Sequence, residues 1–445
     1  MPITAAVAHL FALVWLQARL VASYLWLFVR TTVLRAPLSA ERLSALHRRN
    51  ARRFKETACR LKGANVKIGQ LASMQAHLLP PEYVEELRAL RDAVEPTPFA
   101  AVAAIIAAEL GGPPHEVFAE FDETPIAAAS MAQVHAARLK TGEKVVVKVL
   151  HPGLERSVAI DLALMGLLLR AVSLLFRKVD LMVILRESEE PLRRELDLEL
   201  EGKATEEIGR DLERIGVLVP KVHWPTTRRR VITLGFIDGA NVDCLPKLRA
   251  WNVDRVALMQ SYLGAFLYQG FVTGLFHADP HPGNVFATPE GKLAMLDFGM
   301  VKRLPEHVRE GLMKETFGGY FNRPKLYVDG LIQKGAIGER DREVTERWAK
   351  KTFADPAARG VIFDHDPKHA GAVKSLVSGL KDLVELESFQ TPLDNVMFMR
   401  ALGIVIDVCK EVAPETSPSE LAAPVMLPIL MKFMEEHPEY AASEE

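Results

Sequence analysis

An α+β protein is what this 445-residue sequence predicts, with a short block of strands between long helical stretches. Three observations carry that expectation. Two strand-like runs, VHAARL and KVVVKVL, flank the turn Lys140-Thr141-Gly142-Glu143 between about residues 125 and 150. A third run, VITLGFID, lies at 231–238, and a further hairpin pattern occupies 276–299. Residues 38–79, 155–215, 251–275 and nearly everything after 305 carry helical apolar spacing. The length exceeds one compact core, so two or three packing units are expected. Hydrophobic residues at 49 % and charged residues at 25 % exclude a mainly disordered chain. With 55 basic against 57 acidic residues there is no chain-wide basic field, and no nucleic-acid partner is expected. Cys59, Cys244 and Cys409 are scattered, which excludes a disulfide framework or a cysteine-rich zinc site and suits a reducing compartment.

Residues 3–29 are apolar except for His9, Gln17 and Arg19. A bilayer crossing needs about 20 such residues. Gln17 and Arg19 fall mid-segment, where a charge costs about 3 kcal/mol. Trp15, Tyr24 and Trp26 suit an interface. Arg35, Arg42, Arg48, Arg49, Arg52, Arg53, Lys55 and Arg60 follow, against only Glu41 and Glu56, which favours anionic lipid and a cytoplasmic position. Residues 1–34 are therefore expected to attach the chain to the cytoplasmic face of a membrane, a bacterial inner membrane. The alternative is a helix buried on the main domain of a cytoplasmic protein. No small-residue cleavage site marks a secretory signal. The next helix breaks at Pro80-Pro81, and a short one runs from Glu82 to about Arg91. The apolar stretch 158–176 is interrupted by Asp161 and Arg170 and reads as a buried helix. Residues 421–434 contain Pro424 and Pro428 and are too short to span.

The chemistry concentrates in His277-Ala278-Asp279-Pro280-His281-Pro282-Gly283-Asn284 and Asp297-Phe298-Gly299. If Pro289-Glu290-Gly291-Lys292 form the loop between the strands VFAT and LAML, Thr288 pairs with Leu293 and Asn284 falls opposite Asp297. An amide oxygen and a carboxylate converging there suit Mg²⁺ bound together with substrate phosphates. Asp279, five residues before Asn284, has the spacing of a protein-kinase catalytic loop and would orient or deprotonate an acceptor. His281 stands where such loops usually carry lysine and would contact the transferred phosphate. Upstream, Val145-Val146-Val147-Lys148 places Val146 and Lys148 on one strand face, Val146 toward adenine and Lys148 toward the α/β-phosphates of ATP. Where kinases carry a glycine-rich loop, this chain reads Ala127-Ala128-Ala129-Ser130. Alanine does not tolerate the positive φ that glycine permits, so the loop is expected to hold phosphates differently. A helix between Pro191 and Ala204 offers Glu195, Asp197, Glu199 and Glu201, with Asp197 and Glu201 on one face. Spacing alone does not choose the lysine's partner among them.

Together these residues resemble the UbiB/AarF family of atypical protein-kinase-like proteins, linked to coenzyme Q (ubiquinone) biosynthesis. Lys67-Ile68-Gly69-Gln70 is similar to its K-x-G-Q signature, Ala127–Ser130 to its alanine-rich loop and Glu195-Leu196-Asp197 to its E-x-D motif. The resemblance makes Glu201 the partner of Lys148. It also implies that Lys67 and Gln70 approach Glu195 and Asp197 and that the K-x-G-Q helices cover the cleft a protein substrate would use. The implied fold is bilobal and kinase-like: an attachment segment at 1–34, a helical extension at 35–115, a small N-lobe with a β-sheet at 116–238, a helical C-lobe at 239–435 and an acidic tail at 436–445. The departures are the glycine of Glu201-Gly202, the missing tyrosine after Asp197, and Gly235 at the adenine hinge.

Pro305 opens a helical pattern soon after Met300, which leaves almost no room for an activation segment, and the triplet Ala413-Pro414-Glu415 stands too far downstream to close one; this argues against peptide substrates. The expected function is Mg²⁺-dependent ATP binding and hydrolysis in support of ubiquinone biosynthesis or the handling of an isoprenoid quinone precursor, with other proteins of that pathway as partners. A small-molecule or lipid kinase and a non-catalytic nucleotide- and lipid-binding scaffold are the alternatives.

Overall fold

The computed structural model describes residues 3–35, 37–61, 69, 79–88, 96–173, 182, 189, 192–354 and 393–440. Its packing divides the chain into two compact units, Met1–Lys203 with Lys221–Phe236, and Ala204–Pro220 with Ile237–Glu445.

The first unit opens with α1 (Ile3–Phe28), which runs into a single wide turn at Val29–Val33. Leu13, Leu16, Leu20 and Tyr24, spaced for one helical face, are buried. That face packs against α2 (Ala40–Leu61) and α5 (Leu154–Ser173). Polar bonds fix the contact: Asn50 Nδ2 donates to Ser23 Oγ at 2.7 Å, and the Tyr24 hydroxyl lies 2.9 Å from His47 Nδ1 and 2.9 Å from the Tyr83 hydroxyl. Phe11, Val14, Trp15, Leu25, Trp26 and Phe28 on the other side are exposed. Leu10–Val33 is the one helical stretch among the described residues long and apolar enough to cross a membrane, yet 22 % of its most apolar window is buried in the protein. Helix α5 is likewise two-sided, with Val158, Asp161 and Leu162 buried and Leu167 exposed. Helix α3 (Pro81–Arg88) is clipped to α2 by the Arg48–Glu85, Arg52–Glu86 and Lys55–Glu86 ion pairs.

The sheet of this unit is antiparallel in the order β1 (Glu120–Ala128), β2 (Ala132–Arg138), β3 (Lys144–Leu150), β4 (Val231–Gly235). Strand β3 alternates as its sequence predicts. Val145, Val147 and Val149 are fully buried against Ile105 and Ile106 of α4 (Phe99–Leu110), while Val146 and Lys148 look the other way. Each such valine contributes about 1.5–3 kcal/mol. Helix α6 (Leu198–Glu213) follows, and its first turns belong to this unit.

The second unit is mainly helical. Its core is built on α7 (Arg255–Tyr268), which Asp254 caps by accepting the Val256 and Ala257 amides. Around it lie α8 (Glu306–Tyr320), α9 (Pro324–Gln333), α10 (Arg342–Phe353), α11 (Leu393–Val412) and α12 (Pro418–Glu436). Helix α12 starts with a Ser417/Glu420 capping box and continues through Pro424 and Pro428. Two small antiparallel sheets carry the motif segments: β5 (Ala240–Asn241), β7 (Val285–Ala287) and β8 (Leu293–Met295) in one, β6 (Leu275–His277) and β9 (Val301–Arg303) in the other.

Candidate functional site

In the first unit the structure brings Lys148 and Glu201 together. Lys148 Nζ donates to both carboxylate oxygens of Glu201, at 2.8 and 3.0 Å, and the two side chains are 17 % and 5 % exposed. A pair this buried persists because each charge compensates the other's lost hydration. Glu201 is the acid that the family resemblance chose. Gly202 beside it lets Trp224 approach, since a Cβ there would lie 3.0 Å from the indole. Asp197 differs from expectation. It does not share a helix face with Glu201; it ends the preceding turn and caps α6, its Oδ1 accepting the Glu199 and Leu200 amides at 3.1 and 3.4 Å. A short carboxylate outcompetes helix continuation at that position by satisfying unpaired amides of the first turn. Glu195 is the last residue of the short helical stretch before it, half-buried. Lys67 and Gln70 lie outside the described residues, while Gly69 between them is helical and buried.

The Ala127–Ser130 segment is more regular than a loop. Ala127 and Ala128 are the last residues of β1, paired with Val134 and Gln133, and the chain reverses at Ser130 and Met131. None of the four residues has a positive φ, as alanine's Cβ demands. His151, unassigned by the sequence, holds this turn. Its backbone amide donates to the Met131 carbonyl, its Nε2 lies 2.9 Å from the Ala129 carbonyl, and its Nδ1 lies 2.8 Å from the Thr97 hydroxyl. That set fits one neutral tautomer, with the proton on Nε2.

In the second unit the hairpin register is one residue off the expected one. Val285 pairs with Met295 and Ala287 with Leu293, so Asn284 faces Leu296, whose amide donates to the Asn284 carbonyl at 2.9 Å. Thr288 pairs with Lys292 rather than Leu293. The cause is Gly291 at φ +78: it makes a three-residue loop ending in a left-handed residue, where a four-residue loop had been expected. Asn284 and Asp297 are therefore diagonal across the end of the ladder rather than directly opposite.

The surrounding groups are locked. Asn284 Nδ2 donates to the Asp279 carbonyl at 3.3 Å, which leaves Oδ1 as the atom to present to a cation. Asp297 Oδ1 accepts the Gly299 amide at 2.9 Å. One amide oxygen and one carboxylate fit Mg²⁺, which keeps waters and phosphate oxygens as its remaining ligands. Among the described residues no group of three or more His, Cys, Asp or Glu forms an all-protein metal cage. His281 Nδ1 accepts the Gly283 amide at 3.2 Å, so its imidazole also shapes the Pro282–Asn284 turn.

Three residues beneath Asp279 were not singled out by the sequence. His277 is fully buried, and its Nδ1 accepts the Asp279 amide at 3.1 Å while Gln269 Oε1 accepts the His277 amide at 2.8 Å. Burial holds the His277 pKa below its usual value, keeping the ring neutral. The Tyr262 hydroxyl donates to the Pro280 carbonyl. Arg400, on α11, reaches within 3.9 Å of Asp279 Oδ1. His277 stands inside the motif segment and could have been found there; Arg400 is distant in sequence and no local pattern marks it.

The profile of the ABC1 atypical kinase-like domain matches residues 89–323. The chain belongs to this family. A Synechocystis protein, sll1770, is 33 % identical over 399 residues, covering 88 % of this chain and 66 % of that one. A probable protein kinase UbiB of Marinobacter nauticus is 33 % identical over 300 residues, covering 65 % of this chain and 55 % of its own length. The chain thus spans between about half and two thirds of these relatives. Among solved structures, that of the Mycobacterium tuberculosis protein Rv3197 in complex with erythromycin superposes with a TM-score of 0.54 at 22 % identity, over 84 % of this chain and 95 % of that one. The kinase-like α+β fold is thereby established.

Proposed function

We propose that this ABC1-family protein binds ATP with Mg²⁺ and hydrolyses it slowly, in support of the handling of an isoprenoid quinone precursor at a membrane surface. The observation that carries the nucleotide reading is the locked Asp279–Asn284–Asp297 segment: an amide fixed by Asp279 presents its oxygen one ladder step from a carboxylate fixed by Gly299. Lys148 would hold phosphate oxygens, with Glu201 keeping its ammonium charged and aimed. Asn284 and Asp297 would hold the metal, which when bound offsets phosphate charge. Asp279 would orient the attacking water or hydroxyl, its backbone held by neutral His277 and its carboxylate near Arg400. Positioning and charge stabilisation are the whole of the protein's contribution to such chemistry. The helix that begins at Glu306, so soon after Asp297-Phe298-Gly299, leaves little chain for a peptide-docking activation segment and favours water or a small acceptor over a protein in trans.

The membrane part of the proposal rests on α1. A crossing helix is surrounded by lipid or by other spanning segments, but one side of α1 is tied by Asn50, His47 and Tyr83 to its own unit. We therefore assign α1 to the surface of an anionic membrane, on its cytoplasmic side, lying in the interface with Trp15 and Trp26 outward. Burial first, and then the neighbouring charges of Arg19 and Arg49, depress the Arg53 pKa, so that these three arginines form a basic patch there. ATP titration of the purified protein with and without Mg²⁺, followed by isotope tracing of the γ-phosphate, tests the chemistry. Label appearing as inorganic phosphate supports hydrolysis, label on an added alcohol or quinol supports the kinase alternative, and nucleotide binding without turnover supports the scaffold.

A further inference from the structure

The second unit contains an apolar pocket of about 280 Å³ that neither the nucleotide chemistry nor the helix core explains. Helices α7, α8, α11 and α12 wall it, with Leu267, Phe398, Leu402 and Met426 among the lining side chains. The glycines nearby separate into two kinds. A Cβ at Gly264 would lie 2.6 Å from Val425 and one at Gly270 would lie 2.3 Å from Phe398, so packing demands both. Gly403 also lines the pocket, in the interior of α11, yet a Cβ there meets nothing within 4 Å among the described residues. Glycine weakens a helix interior relative to alanine. At Gly403 no packing contact among the described residues demands it, and the position leaves room at the lining. Met399, flexible and 49 % exposed, stands at the lining beside fully buried Phe398.

The polar groups of the lining set the chemistry of the occupant. Glu315 is neutralised by an ion pair with Lys334, whose side chain is 6 % exposed. An anionic head would meet the Glu315 carboxylate with its counter-charge already engaged. The Thr316 hydroxyl instead suits an uncharged partner, as does that of Ser419, which also lies 3.1 Å from Ser417 Oγ. A dry cavity of about 150 Å³ accepts benzene, so this volume corresponds to a chain of about ten carbons.

We propose that this pocket binds a single alkyl chain of about ten carbons carrying an uncharged hydroxyl-type head. The chain would also bear on Asp279. Phe398 stacks on Phe266 at 5.1 Å and meets Phe276 of β6 edge-on at 5.3 Å, three residues before Asp279, while Arg400 two positions along α11 faces the Asp279 carboxylate. Only this second consequence rests on the ATP reading; binding of the chain does not.

The test uses the full-length protein without nucleotide and 1-decanol bearing a diazirine, with cross-links mapped by mass spectrometry. Labelling on α8, α11 or α12, competed by unlabelled decanol but at least tenfold less well by decanoate, is expected. Gly403→Leu should fill the pocket and weaken labelling at least tenfold with no loss of melting temperature. Should that variant misfold, Thr316→Val provides the second measurement, with decanol weakened severalfold and the apolar decane unaffected. Labels confined to α1, undiminished labelling in Gly403→Leu, or decanoate competing as well as decanol would each overturn the assignment. If decanol binds but ATP does not, the pocket stands and the nucleotide reading fails. If both bind, decanol should shift the ATP turnover rate at least twofold in the wild type and not in Gly403→Leu.

Discussion

In the first unit the candidate group sits on regular elements: Lys148 occupies one position of an alternating strand, and Glu201 the first turn of a helix. In the second unit Asp279, Asn284 and Asp297 sit on short strand ends and turns, each fixed by bonds between side chain and main chain. The first group is a closed ion pair, with each charge answering the other. The second presents oxygens whose orientation is set by main-chain bonds, with the Arg400 guanidinium at the longer distance of 3.9 Å from Asp279 Oδ1. Stability therefore resides mainly in the first arrangement and ligand dependence in the second.

Substitutions sharpen that contrast. The largest effect expected is on ligand response: Asp297→Asn should abolish the Mg²⁺-dependent rise in melting temperature with ATP while leaving the apo melting point within a degree or two. An unchanged ATP shift would remove Asp297 from the metal role. In the first unit the order reverses, because Lys148→Met strands a buried carboxylate and should cost about 3 kcal/mol in urea unfolding. The double variant Lys148→Met/Glu201→Leu should recover most of that loss, and failure to recover would mean that the pair is not what the stability depends on. Gly291→Ala forces a Cβ into the left-handed region and should cost about 1–2 kcal/mol, with Gly291→Asn milder. An equal cost for both would argue against the loop geometry that sets the register.

The smallest effect per group is that of pH. Burial lowers the pKa of His47 and His135 in the first unit and His277 in the second. Below the ordinary histidine value of about 6.5 the unfolded chain takes up protons that these folded rings resist, so stability present above that pH is lost as pH falls. The slope is at most about 1.4 kcal/mol per pH unit for each ring. His277→Gln should flatten one share of that slope, as followed by urea melts from pH 7.5 to 5.

What the sequence made legible follows the same division. Alternation in KVVVKVL is a period-two signal, and it placed Val146 and Lys148 on the face opposite the buried valines. The hairpin at 285–295 was legible as a hairpin but not in register. One left-handed glycine removes a residue from the loop and moves every pair beyond it by one, and Pro-Glu-Gly-Lys does not declare which residues close the turn. Asp197 was misplaced because an acid just ahead of a helix and an acid inside it look alike in a charge pattern; the unpaired amides of the first turn decide between them. His151 and Arg400 act through contacts far apart in sequence, and local periodicity contains no trace of those.

The half-packed α1 carries a consequence for where such a protein can reside. A segment that traverses a bilayer must match its thickness, and cells sort such proteins by that match. A helix resting edgewise against headgroups ignores thickness and reads lateral packing and surface potential instead. On the assignment made for α1, altering acyl length should leave residence untouched, whereas diluting acidic headgroups should release the protein into solution.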